Sequence, residues 1–205
     1  MKTIIRFTGH GILLTLFSLL FLILSPTRAG ASADEQTAIT VLTDKGPESM
    51  TMAEYLPLAV AAEMPVAFGP EALKAQAVAA RTYVLAAHRH KGADICTDSG
   101  CCLAFRSEDE LRSLWGEEYD RNLAAVSEAV HATDGEILTY GGEAIRAVFH
   151  ASSSGRTEDS GNLWGALPYL VSVSSPETAD TVPDLVTEAA FTPDELCSRL
   201  DISPD

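Results

Sequence analysis

A chain of 205 residues with 29 acidic against 14 basic side chains carries a formal net charge of −15, and its length suits one domain behind a leader. That charge excludes a nucleic-acid binder, which needs a basic face for phosphates, and it repels anionic lipid. A neutral polymer such as a polysaccharide is compatible with it, and so is plain solubility.

Lys2 and Arg6, the apolar run GILLTLFSLLFLIL (residues 11–24) and the small-residue tail SPTRAGASA predict a secretory signal. Ala31-Ser32-Ala33 offers a cleavage site before Asp34. Counted from Phe7, the run reaches about eighteen residues, the lower end for crossing a bilayer, so an uncleaved anchor helix competes with a cleaved, secreted form. Either way the remainder lies outside the cytoplasm.

Within 34–50, a polar stretch short on periodicity, AITVLT (38–43) reads as a brief strand. Thr51 can cap a helix over 52–63, where Pro57 demands a kink or a late start and Pro65 ends it. Pro70 and Glu71 open a helix running to about His88, with Leu73, Ala77, Ala80, Val84 and Ala87 on one stripe. Alanine on that stripe lets another helix approach closely. Residues 89–106 read as a loop, and 108–133 as a helix broken near Gly116. Strands follow at 135–140 and 144–152 around a Gly141-Gly142 turn, then a Ser/Gly loop over 152–165, a strand at 169–175 and a loop over 176–184. TPDELCSRL opens a last helix, with Thr192 as cap, Pro193 at its first position and Glu195 at its third. The sum is an α+β fold in which a helical segment packs with a small antiparallel sheet, divided into a signal or signal-anchor helix (1–33) and one domain (34–205).

Among the chemically able residues, Glu63 stands out. Flanked by Ala61, Ala62 and Met64, its carboxyl is poorly hydrated, which raises a pKa and suits a general acid. The plain alternative is a helix-end carboxylate in water or paired with Arg81. His150, Ser152 and Ser153 lie where a strand runs into a Gly-containing loop. They are too close along one segment for a hydrolase triad, and no G-x-S-x-G elbow is present. Trp164 and Tyr169 suit either sugar stacking or core packing. Cys96, Cys101, Cys102 and Cys197 outside the cell suggest disulfides, with Cys96–Cys101 or Cys96–Cys102 as the pair. His90, Cys96 and Cys102, six residues apart each time, equally suit a metal, with Cys101 as a fourth ligand and His88 as a substitute. Three ligands make an open zinc site and four a closed one. Cys197 reads as a lone helix residue.

Two stretches, YLPLAVAAEMPVAFGPEALKAQAVAARTYVLAA (55–87) and VFHASSSGRTEDSGNLWGALPYLVSVSSPET (148–178), resemble the signature blocks of the stage II sporulation protein D family, which includes the amidase-enhancer proteins. The glycine usual after the Tyr-Leu opening is absent, and Ser154 stands where a second glycine is common. The resemblance implies a peptidoglycan lytic transglycosylase that cuts between N-acetylmuramic acid and N-acetylglucosamine. Glu63 matches the catalytic glutamate, and Lys74, Gln76, Arg81, Tyr83, His150, Ser152 and Ser153 are implied to line the sugar groove, Arg81 being the one best suited to hold a loop. It also implies zinc on His90, Cys96 and Cys102, with Cys101 where a histidine would be expected. The implied partners are glycan strands, a peptidoglycan amidase and a membrane protein of the engulfment machinery, with no nucleic acid. A non-catalytic enhancer of an amidase, or a structural wall-binding protein, are the rivals. Members of the family continue past the point matching Asp205, so the chain reads as C-terminally truncated.

Overall fold

A computed structural model describes residues 31–87, 90–153, 155–178 and 188–202. The apolar leader, His88, Ser154 and most of the 176–184 loop fall outside the described residues. Among those described, no helix is long and apolar enough to cross a membrane. The chain divides into two compact units, residues 1–137 and 138–205.

Unit 1 opens with α1 (Ala33–Gln36) and a hairpin of β1 (Ala38–Thr43) and β2 (Gly46–Thr51). The hairpin is antiparallel, from Ala38 opposite Thr51 to Thr43 opposite Gly46. β2 falls in the stretch read as irregular. Its sequence, GPESMT, carries no alternation because both faces are largely exposed, and an edge strand tolerates Pro47. On the other side of β1 lies β3 (Ile95–Cys96), parallel to it, with Val41 opposite Ile95 and Leu42 opposite Cys96. The sheet is therefore mixed rather than antiparallel, in the order β2-β1-β3. β3 sits inside the segment read as loop, because two residues are too few to show a period.

Three helices complete the core: α2 (Met52–Glu63), α3 (Pro70–Ala86) and α5 (Tyr119–Ala132), which pack on one another. α2 runs through Pro57, whose missing N–H forgoes one helical bond. The alanine stripe works as read, with Ala77 and Ala80 fully buried beside Leu73 and Val84. α4 (Glu108–Trp115) precedes α5 and stops at Gly116, whose φ of +53° ends the helix, so the expected break is there. Val41, Tyr55, Leu56, Val60, Leu111 and Val126 are completely buried at the centre; each such side chain contributes about 1.5–3 kcal/mol of burial.

Unit 2 departs further from the sequence reading. The Gly141-Gly142 turn forms, but the ladder around it is only β4 (Thr139–Tyr140) against β5 (Glu143–Ala144). Residues 144–152 and 169–175, read as strands, leave Val148, Phe149, Val171 and Val173 exposed by 40 to 51%, and 169–175 makes only a bridge, Arg156 opposite Ser174. A strand-like run needs a neighbouring strand to become a sheet. The final helix, α6 (Pro193–Leu200), has its capping box as read, with Thr192 and Glu195 bonded reciprocally.

Candidate functional site

Glu63 is the last residue of α2. The helix register is set at its other end by a capping box: Glu54 N donates to Thr51 Oγ1 at 3.2 Å, and Thr51 N donates to Glu54 Oε2 at 2.7 Å. Pro65 stops any continuation. The half-buried Glu63 carboxyl does not face an apolar wall alone, since Ala104 N donates to its Oε1 at 2.7 Å.

Two turns earlier on the same helix, Tyr55 is fully buried, its ring stacked on Phe105 at 5.6 Å and 15°. Its hydroxyl has no hydrogen-bond partner among the described residues. Burial first, then Cys102, Tyr83, Cys96 and Glu63, push this phenol well above the ordinary tyrosine range. The hydroxyl thus stands among the glutamate and two of the cysteines.

His90, Cys96, Cys101 and Cys102 bring one ligand atom each to within 4.8 Å of one another. β1 builds this cluster: Asp94 N donates to Thr40 O at 2.8 Å, and Thr97 N to Leu42 O at 3.2 Å, so the loop is pinned on both sides of Cys96. His90 Nε2 lies 3.3 Å from Cys102 Sγ and 3.7 Å from Cys101 Sγ; the Cys101 and Cys102 sulfurs are 4.0 Å apart. A tetrahedral zinc with its usual bond lengths needs ligand atoms roughly 3.6–3.8 Å apart, so the donor set and spacing fit. No disulfide joins them, and all four cysteines of the chain are free thiols. Burial pushes the Cys96 thiol up; a bound cation is what would draw such a thiol to thiolate. Cys102, Leu103 and Ala104 are consecutive, with Leu103 buried at 3% exposure. A cation held by Cys102 would therefore fix the amide that holds Glu63.

The motif helix supplies less open polar edge than its sequence suggests. Arg81 is 1% exposed. Its Nε and Nη2 donate to Asp34 at 2.8 and 2.7 Å, and Nη1 and Nη2 to the Glu136 and Val130 carbonyls at 3.0 and 3.2 Å. Its guanidinium is committed inside the fold rather than to a groove. Asp34, read as the first residue after a cleavage site, is itself buried, and both Ala33 N and Asp34 N donate to the Asp134 carboxylate at 2.8 Å. Gly135 (φ +68°) permits this approach, since a Cβ there would meet Ala33 Cβ at 3.0 Å. Gln76 is also buried, with Nε2 sealed and unpartnered among the described residues. Lys74 reaches solvent and pairs with Glu71 at 2.8 Å, which holds its pKa up. Tyr83 packs against the core on the side of Tyr55.

Unit 2 gathers the other named residues around Glu177. Ser152 Oγ, Ser153 N and Ser153 Oγ donate to its carboxylate at 2.5, 2.7 and 3.1 Å. These bonds, Ser152 first, and nearby His150 hold it below the usual carboxylate range. The hydroxyls are tied to an acid, so no nucleophile is activated there. A cavity of about 470 Å³ beside this cluster is lined by His150, Glu158, Trp164 and Tyr169 among others. The Arg146 guanidinium lies 5.2 Å from the Trp164 ring centre, and Tyr169 tilts on Tyr140 at 5.4 Å.

Sequence reasoning missed the Ala104 amide, Asp34, Asp134, Tyr55 and Glu177. Glu177 stands inside the second signature block, and Tyr55 opens the first. A backbone amide from a loop forty-one residues away leaves no sequence signal.

Residues 45–140 match the family model described as Stage II sporulation protein. The chain is 38% identical over 154 residues to Stage II sporulation protein D of Bacillus amyloliquefaciens, covering 72% of this chain and 45% of that one. To the protein of the same name from Bacillus subtilis (strain 168) it is 37% identical over 166 residues, covering 77% and 48%. An Amidase enhancer of Bacillus subtilis is 34% identical over 110 residues, 53% of this chain and 13% of the relative. The chain thus spans under half the length of each of these three relatives.

Proposed function

Through residues 45–140 the chain belongs to the stage II sporulation protein family, and on that premise we propose that it is a lytic transglycosylase acting on peptidoglycan glycan strands, with Glu63 as its acid and base. The observation that carries this reading is the Glu63 carboxyl at the end of α2, oriented through one oxygen by the Ala104 amide at 2.7 Å. The protonated carboxyl donates to the oxygen bridging N-acetylmuramic acid and N-acetylglucosamine, and the bond from the muramic C1 to that oxygen breaks. The carboxylate then takes the proton of the muramic C6 hydroxyl as O6 bonds to C1, which closes a 1,6-anhydro ring and restores the acid. No water enters, so no second carboxylate is required to attack or to activate one. The Ala104 N–H holds one carboxyl oxygen in place through both proton transfers.

A zinc ion, if bound, would be held by His90, Cys96, Cys101 and Cys102, and four protein ligands make it a structural centre with no place for substrate. The work of those residues is to fix the loop that ends in Ala104. An extracytoplasmic location, with the N-terminal segment as anchor or cleaved signal, and cooperation with an amidase and a membrane partner of engulfment, complete the proposal. Lys74, Tyr83, His150, Ser152 and Ser153 are proposed as sugar contacts; Arg81 and Gln76, being buried, support the helix from within.

The likeness to an Amidase enhancer favours one second reading, a glycan binder that stimulates an amidase without cutting. Peptide-free glycan strands incubated with wild type and with Glu63→Gln, resolved by mass spectrometry, separate the two. Products with anhydro-muramic ends, lighter than hydrolytic products by one water and lost in the variant, are the expected result. Glycan bound by both proteins and cut by neither refutes the transglycosylase and leaves the enhancer.

A further inference from the structure

Unit 1 has a concavity of about 520 Å³ beside the turn that follows Glu63. Pro65, Val66 and Ala67 form one part of its lining, and Trp115 and Asn122 another. At its edge Arg121 and Glu118 neutralise each other at 2.7 Å, so it offers no net charge to an ionic ligand. Trp115 is partly buried, packed against the core and tilted on Tyr119 at 6.2 Å.

Asn122 is the unexplained residue. It is 8% exposed, lines this groove, and makes no side-chain hydrogen bond among the described residues. Neither amide atom is sealed from solvent, so both open where the residue lines the groove, in the first turn of α5. A ligand in the groove can pair with both. The amide presents one carbonyl and one NH₂ group, which match the N–H and C=O of an acetamido substituent. An indole beside it matches the C–H face of a pyranose ring, and an uncharged lining with one polar pair is how small-molecule sites orient a ligand.

We propose that this groove is a subsite for an N-acetylhexosamine ring, with Asn122 pairing to the acetamido group and Trp115 against the sugar face. It rests on the glycan reading above and extends it to residues outside both signature blocks. The test uses the full chain carrying Glu63→Gln to prevent turnover and Trp164→Phe to leave Trp115 as the single tryptophan of the two in the chain. Chitotetraose is titrated while Trp115 fluorescence and heat of binding are followed, with cellotetraose, which lacks acetamido groups, as the comparison. A saturable fluorescence change with chitotetraose, absent with cellotetraose and weakened about tenfold by Asn122→Ala, is expected. Asn122→Asp, which keeps an acceptor and loses the donor, is expected to weaken it also, and serves if the alanine variant loses its helical circular dichroism.

Equal response to both tetrasaccharides, or unchanged affinity in a folded Asn122 variant, overturns the proposal; the amide is then satisfied by water alone. The two readings fail separately. If chitotetraose binds as described while wild type leaves glycan strands uncut, the transglycosylase fails and the subsite stands. If wild type cuts glycan and Asn122→Ala leaves KM unchanged, the subsite fails and the enzyme stands.

Discussion

Replacing Arg81 with methionine would remove four hydrogen bonds, two to Asp34 and one each to the Glu136 and Val130 carbonyls. It would also strand the Asp34 carboxylate, 4% exposed, without its counter-charge. Breaking a buried pair by removing one partner costs about 3–5 kcal/mol, mostly from the uncompensated charge left behind. A domain of ordinary stability has about 5–15 kcal/mol in total, so the variant should unfold in markedly less urea. Asp34→Asn in the same chain relieves the stranded charge, and the double variant should recover about 2 kcal/mol of the loss. Arg81→Lys keeps the charge but loses the planar fork, and should fall between. The assay is urea unfolding followed by far-ultraviolet circular dichroism, beside glycan binding measured well below each midpoint. If Arg81→Met lies within about 1 kcal/mol of wild type and yet loses glycan, the guanidinium is a sugar ligand and the structural role argued here is wrong.

Three further outcomes are expected. The protein as isolated should hold one zinc per chain by elemental analysis, with Cys101→Ser lowering affinity, and chelation should speed hydrogen exchange at the Ala104 amide; unchanged exchange would uncouple the metal loop from Glu63. Asp134 is held below its ordinary pKa chiefly by the Asp34 amide and also by the Ala33 amide. Its stabilising contribution is therefore complete above the ordinary carboxylate value near 4 and is lost as pH falls through the lowered one. Asp134→Asn should lose stability at neutral pH and flatten the acid limb of the stability curve. Thr51→Ala removes the cap of α2 and should cost about 1 kcal/mol, with a larger fall in glycan cleavage than in glycan binding because Glu63 sits at the far end of that helix.

The helices were legible wherever a stop or start signal coincided with a periodic stripe: Thr51 and Pro65 around α2, Pro70 before α3, Gly116 between α4 and α5, Thr192 before α6. The strands were not. β2 has no alternation because it is an exposed edge, β3 has two residues, and 145–152 extends the ladder beyond β5 by only one bond, Ile145 N to Leu138 O. The ligand set, by contrast, could be suspected from the spacing of His90, Cys96 and Cys102 with Cys101 as a fourth, and the structure brings all four together through the turn that folds the two neighbouring thiols toward one imidazole.

By itself the sequence determined the acidic balance, the likeness to the family's signature blocks, the helical frame and the candidates Glu63, His90, Cys96, Cys101 and Cys102, because each of these is a local pattern or a residue type at a fixed offset. Only the tertiary structure decided what surrounds them. A polar side chain on a helix has a periodicity but no partner until another segment arrives: Arg81 could line a groove, hold a loop or pair with Glu63 until α1 brought Asp34 against it, and Glu63 took the amide of residue 104 instead. Burial and hydrogen-bond partners belong to pairs of segments distant in the chain, and that distance is why one strand of letters could not contain them.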